Sequence, residues 1–151
     1  MEPFAMTLYV NAPAEQVWDA VVGDEGNRAV MFGSVLRSEL TVGAGYEYVG
    51  PGNEGEETVH VYGEVLAVEP GRLLSLSEHP GPSYGDNHAE LSSRMTWTLE
   101  PVTPGVTALT FVNDEWSDGH PNHDGTVENW PRVLSALKTF AETGKTIDYG
   151  W

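Results

Sequence analysis

Six short runs rich in β-branched and aromatic residues follow one another between Val35 and Asn113, and the joins between many of them are only a few residues long. The runs are Val35–Thr41, Tyr46–Gly50, Thr58–Val68, Leu73–His79, Ser92–Glu100 and Val106–Asn113. Strands joined in parallel need a crossover of about a dozen residues or more, usually a helix. The separators Val42-Gly43-Ala44-Gly45, Glu69-Pro70-Gly71-Arg72 and Pro101-Val102-Thr103-Pro104-Gly105 are turn sequences with no room for one. Neighbouring runs must therefore pair antiparallel. The longer joins, Pro51–Glu57, Pro80–Leu91 and Glu115–Gly125, are rich in Gly, Pro and acids, and are where ligand entry would sit.

The flanks complete the order. Phe4, Met6, Leu8 and Val10 alternate with Ala5, Thr7 and Tyr9, the period of a half-buried strand. Ala12-Pro13 then opens an amphipathic helix over Ala14–Val22, closed by Gly23, and a weaker helical turn is expected over Asp24–Phe32. At the other end Trp130, Val133, Leu134, Leu137, Phe140 and Ala141 mark a long amphipathic helix over Thr126–Thr143, stopped by Gly144. Pro131 costs that helix a hydrogen bond, so the helix is expected to begin near Asn129 or to kink there. Residues 1–143 form one expected domain, and 144–151 a tail that is ordered only where Ile147, Tyr149 or Trp151 docks.

The chain has 151 residues, enough to bury roughly 70% of the surface an unfolded chain exposes. Seven Lys and Arg against 23 Asp and Glu give a formal charge of −16, which repels nucleic-acid phosphates and anionic membranes. Neither is an expected partner. The absence of cysteine removes disulfides, thiolate nucleophiles and Cys-based zinc or iron–sulfur sites. No cofactor is called for, and without a leader-like or spanning apolar segment the expected location is the cytoplasm.

One strand, short helices, six antiparallel strands and a long terminal helix make an α+β chain whose curved sheet must be covered by the one helix long enough to do so. This order resembles the helix-grip fold of the START-like, or SRPBCC, superfamily. Local motifs carry the resemblance: Val10–Trp18 is similar to its strand-to-helix junction, Gly63–Leu73 to its central hairpin, and Asn129–Lys138 to the start of its final helix. Within the superfamily the chain is most similar to the branch named for the C-terminal domain of the activator of heat-shock-protein-90 ATPase. Asn129 stands where that start usually has Gly, with Pro131 following, which implies a bent helix entrance. Ser77 replaces a frequent Trp, which implies a larger or wetter cavity.

The resemblance implies a pocket between sheet and final helix. Alternation places Met95, Trp97 and Leu99 on one face of their strand and Leu109, Phe111 and Asn113 on one face of theirs, and both sets are assigned inward. Together with Trp18, Phe32, Tyr48, Trp130, Leu134 and Leu137 they are expected either to line a mostly apolar small-molecule site or to fill a core. The first reading is a non-enzymatic protein that binds a small hydrophobic or aromatic molecule such as a lipid or polyketide. A cyclase or dehydratase using the same cavity is the alternative, with Glu78, His79 and Asn113 as candidate acid, base and carbonyl anchor. A chaperone-regulating interaction module is the third.

The stretch from Asp114 to Asp124 holds His120, His123 and four acids, but Pro121 between the histidines denies them a common face, so no metal site is expected. His60 and His88 receive no role. Glu54, Glu56, Glu57, Asp86 and Glu90 read as solvated loop charge.

Overall fold

The computed structural model describes residues 1–150; Trp151 lies outside the described residues. Its elements are β1 (Phe4–Val10), α1 (Ala14–Val22), α2 (Asp24–Val30), β2 (Val35–Ser38), β3 (Gly45–Pro51), β4 (Glu57–Glu69), β5 (Leu73–Pro80), β6 (Ser93–Thr103), β7 (Val106–Asp114) and α3 (His123–Thr143). The seven strands form one curved antiparallel sheet in the order β1-β7-β6-β5-β4-β3-β2. The first strand thus pairs with the last, Met6 opposite Phe111 and Leu8 opposite Leu109, while α1 and α2 carry the chain to the far edge. Thr107 Oγ1 donates to the Ala12 carbonyl at 2.8 Å and ties the strand-to-helix junction to β7.

The core lies between the sheet and α3. Alternation along β6 and β7 behaves as expected: Met95, Trp97, Leu99, Leu109, Phe111 and Asn113 are all buried. Facing them on α3 are Trp130, Val133, Leu134 and Leu137, at the spacing of one helical stripe.

Several details differ from expectation, and β6 runs on to Thr103, into the stretch expected to be a turn, because Pro101 and Thr103 still pair with Thr107 and Val106. The terminal helix begins at His123 rather than near Thr126 or Asn129 and runs through Pro131. Pro131 lacks an N–H, but Trp130 and Val133 on either side are buried, and their packing offsets the lost bond. The run from Val35 stops as a strand at Ser38, because Leu40 takes a left-handed backbone (φ 51°) that no strand accommodates. The join after β5 contains two short 3₁₀ turns, Pro82–Tyr84 and His88–Glu90.

The tail docks. Thr146 Oγ1 donates to the Ala29 carbonyl at 3.2 Å and Tyr149 Oη to the Arg132 carbonyl at 3.0 Å, so it folds back across α2 and α3. The solvated acids Glu54, Glu56, Asp86 and Glu90 are exposed, whereas Glu57, expected in the loop with them, opens β4 and pairs across to Arg37 on β2. Among the described residues no helix is long and apolar enough to cross a membrane.

Candidate functional site

The inward residues divide into a filled core and an open cavity. Trp97 and Phe111 pack tilted with ring centroids 4.4 Å apart, Phe111 and Trp130 likewise at 4.1 Å, and Trp97 meets Trp130 edge-on at 6.0 Å. Trp97, Phe111, Leu134 and Leu137 are fully enclosed and lie outside the lining of the open cavity, so they act as packing residues rather than as its walls. Trp18, half-buried on α1, likewise packs against the core away from the cavity. The reason is geometric: Leu134 and Leu137 sit in the half of α3 that packs closely over the sheet, and the cavity opens beside its first turns.

That cavity measures about 510 Å³, within the range of small-molecule sites. Its floor and walls are buried Tyr48, Met95, Asn113, Trp116, His120, Trp130 and Val133; its rim includes exposed Phe32, Pro51, His60 and Tyr84. Of the residues expected from sequence, it brings together Phe32, Tyr48, Glu78, Met95, Asn113 and Trp130. Phe32 reaches the rim because it follows α2 in a left-handed conformation (φ 56°), a strained choice for a bulky residue. His60 reaches it through a bulge: Tyr48 pairs with Val61 and Val49 with Val59, which leaves His60 as the extra residue, its Nε2 donating to the Pro51 carbonyl at 3.0 Å. Gly81 permits the close approach of β5 to β4, since a Cβ there would meet the Val59 carbonyl oxygen at 1.8 Å.

A chain of hydrogen bonds runs along the cavity floor. Trp130 Nε1 donates to Asn113 Oδ1 at 3.0 Å, Asn113 Nδ2 donates to Ser93 Oγ at 3.0 Å and to the Arg94 carbonyl at 2.9 Å, and Ser93 Oγ donates to Glu78 Oε2 at 2.6 Å. Asn113 is therefore saturated, with no donor left for a ligand. Burial pushes the Glu78 carboxyl above the usual carboxylate range, against the lowering effects of the Ser93 bond and of nearby His79. Tyr46 and Tyr48, edge-to-face at 5.9 Å on β3, are pushed up as well, chiefly by burial, and their hydroxyls have no hydrogen-bond partner.

Sequence reasoning missed Met31, His60, Trp116, Val133 and His120 as cavity residues, and His120 is the most polar of those in the wall. Its Nδ1 accepts from the Asn122 backbone N–H at 3.2 Å, which leaves the proton of a neutral ring on Nε2, a buried atom with no partner in the protein. Burial, and the charge of His123 beyond the shared edge of Trp116, hold its pKa down. His123 goes the other way: its ring reaches the Glu2 carbonyl from Nε2 at 2.7 Å and Asp124 Oδ1 from Nδ1 at 2.8 Å, and both acceptors favour the charged form. Among the described residues no group of three metal-ligating side chains converges.

Two expectations need correction. His79 does not border the cavity: neighbours on a strand face opposite ways, and with Glu78 inward His79 points outward, stacked on Tyr62 at 5.1 Å with Nδ1 donating to the Leu91 carbonyl at 2.8 Å. His79 and Asn113 thus do not converge on one point. Ser77 neither widens nor wets the cavity, because its Oγ accepts from the Glu64 backbone N–H on the outer side.

A curved seven-stranded sheet, a long terminal helix packed across it and a cavity between them define a START-like helix-grip domain. The chain belongs to the family described as Activator of Hsp90 ATPase homolog 1-like protein, whose pattern matches residues 11–142. A protein from Arthrobacter aurescens superposes with a TM-score of 0.77 at 16% identity, covering 98% of this chain and 91% of that one. The Aha1 dimer from Colwellia psychrerythraea gives 0.69 at 17% identity over 96% and 99%. DynU16, from the dynemicin biosynthetic locus, gives 0.70 at 21% identity over 97% of this chain and 49% of its own. At these identities the likeness is one of fold. No curated protein matches the sequence.

Proposed function

We propose that this protein binds a small apolar or aromatic molecule in the cavity between β3–β7 and the first half of α3. One observation carries the reading: a cavity of about 510 Å³ with mostly apolar walls, opening between the sheet and the first turns of α3. The aromatic walls supply the affinity, and the few polar groups orient the guest.

The test is ligand-induced stabilisation. A two-ring neutral aromatic such as 1-naphthalenemethanol, at a hundred times its Kd, stabilises by about 2.7 kcal/mol. For a chain of this size that raises Tm by roughly 5–10 °C. Thr126→Trp, which puts an indole into the cavity from the first turns of α3, removes the shift. An unchanged shift in that variant overturns the reading, as does a wild type that none of the neutral, cationic and anionic guests on this ring system stabilises.

A further inference from the structure

Among the described residues Glu78 is the single formal charge in the cavity lining, and no Lys or Arg in the lining pairs with it; His79, behind it on the opposite face of β5, is the one cationic influence on it. None of the ion pairs among the described residues includes Glu78. One carboxyl oxygen, Oε2, takes the Ser93 hydroxyl. The surroundings include aromatic rings and thioethers, Tyr48, Trp116, Trp130, Met31 and Met95, with the imidazoles of His60 at the rim and His120 in the wall.

Three classes of guest meet this wall differently. A carboxylate finds no cation and the field of a chain with a formal charge of −16 against it. A neutral molecule leaves Glu78 unpaired, to be protonated or to remain a costly buried charge. An ammonium meets a carboxylate, electron-rich ring faces and an attractive surface field together. Resting on the binding role proposed above, we infer that the molecule taken by this cavity is an organic cation, an aromatic or alkyl amine whose ammonium sits between Glu78 and the rings of Tyr48 and Trp130. The raised pKa of the unoccupied carboxyl agrees with a carboxylate whose counter-ion arrives with the guest.

The experiment compares three guests sharing one ring system: 1-naphthylmethylamine as its ammonium, 1-naphthalenemethanol and 1-naphthoate, by calorimetry at pH 7.5. The expected order is amine, alcohol, carboxylate, the amine binding on the order of tenfold more tightly than the alcohol. Glu78→Gln keeps an acceptor for Ser93 and is expected to bring the amine-to-alcohol ratio within about twofold. Glu54→Gln, which removes an equal charge from an exposed loop, is expected to keep the ratio, and so separates the site from the general field. Equal affinity for amine and alcohol, or an amine preference that survives Glu78→Gln, overturns the cation assignment while leaving the binding role intact. Failure of all three guests to bind at millimolar concentration overturns both.

Discussion

Asn113→Leu tests the hydrogen-bonded floor of the cavity. Asn113 is 1% exposed, and its side chain makes three bonds, to Trp130 Nε1, Ser93 Oγ and the Arg94 carbonyl. Leucine has the same branched outline, with bulkier methyls in place of the amide oxygen and nitrogen, but makes none of them. The Trp130 N–H and the Arg94 carbonyl then lose partners in a buried setting, at roughly 1–3 kcal/mol for each stranded group. Leucine's added apolar burial returns part of this, so the expected net loss is about 3 kcal/mol. At roughly 2–4 °C per kcal/mol for a chain of this length, Tm falls by about 6–12 °C. Urea unfolding followed by tryptophan fluorescence reads the free energy, and scanning calorimetry reads Tm. Asn113→Asp sharpens the result, since it keeps an acceptor for Trp130 but turns a second oxygen toward the Arg94 carbonyl. It is expected to be worse at pH 8 than at pH 5, because a buried carboxylate holds its proton longer in the folded state. A loss below about 1 kcal/mol for Asn113→Leu would refute the reasoning, since it would mean that solvent reaches this floor and replaces the bonds.

Three further outcomes follow from the same geometry. Glu78 has a folded pKa above its unfolded value, so the folded state holds more protons and stability falls as pH rises from the unfolded value through the folded one; Glu78→Gln is expected to remove that slope and to be the more stable protein at pH 8, as read from urea midpoints at pH 4, 6 and 8. His123 has a folded pKa raised by Glu2 and Asp124, so its contribution is complete below the unfolded pKa and disappears as pH rises through the folded one; His123→Ala should loosen the N-terminal residues below pH 6, seen as faster amide exchange near Glu2, with little change at pH 9. Phe111→Ala removes the ring at the centre of the Trp97–Phe111–Trp130 cluster and is expected to cost about 3–5 kcal/mol, measured by chemical unfolding.

The strands and their faces were legible because alternation is a local property: Met95, Trp97 and Leu99 must share a face whatever the tertiary structure. The antiparallel order was legible because short joins allow nothing else. The start of α3 was not, since Gly125 and Pro131 are local breakers that the burial of Trp130 and Val133 overrides. Nor was the division between core and cavity. Whether Phe111 lines a void or fills it depends on how closely α3 packs over the sheet along its length, which no single residue encodes. His79 was separable from Glu78 by the same alternation that placed the core, since only one of two neighbours can face inward. His120 carried no such signal: its place in the wall depends on Trp116 and on the turn through Asn122, both set by tertiary contacts.

The binding role can be tested most directly through the tryptophan indole N–H resonances during titration with 1-naphthalenemethanol. Trp116 and Trp130 wall the cavity, each donating its indole N–H to Asn113, whereas Trp18 on α1 lies away from it. Saturable shifts of the Trp116 and Trp130 signals with an unmoved Trp18 signal are the expected result. Shifts that do not saturate, or that leave Trp116 and Trp130 in place, would contradict a guest in this cavity.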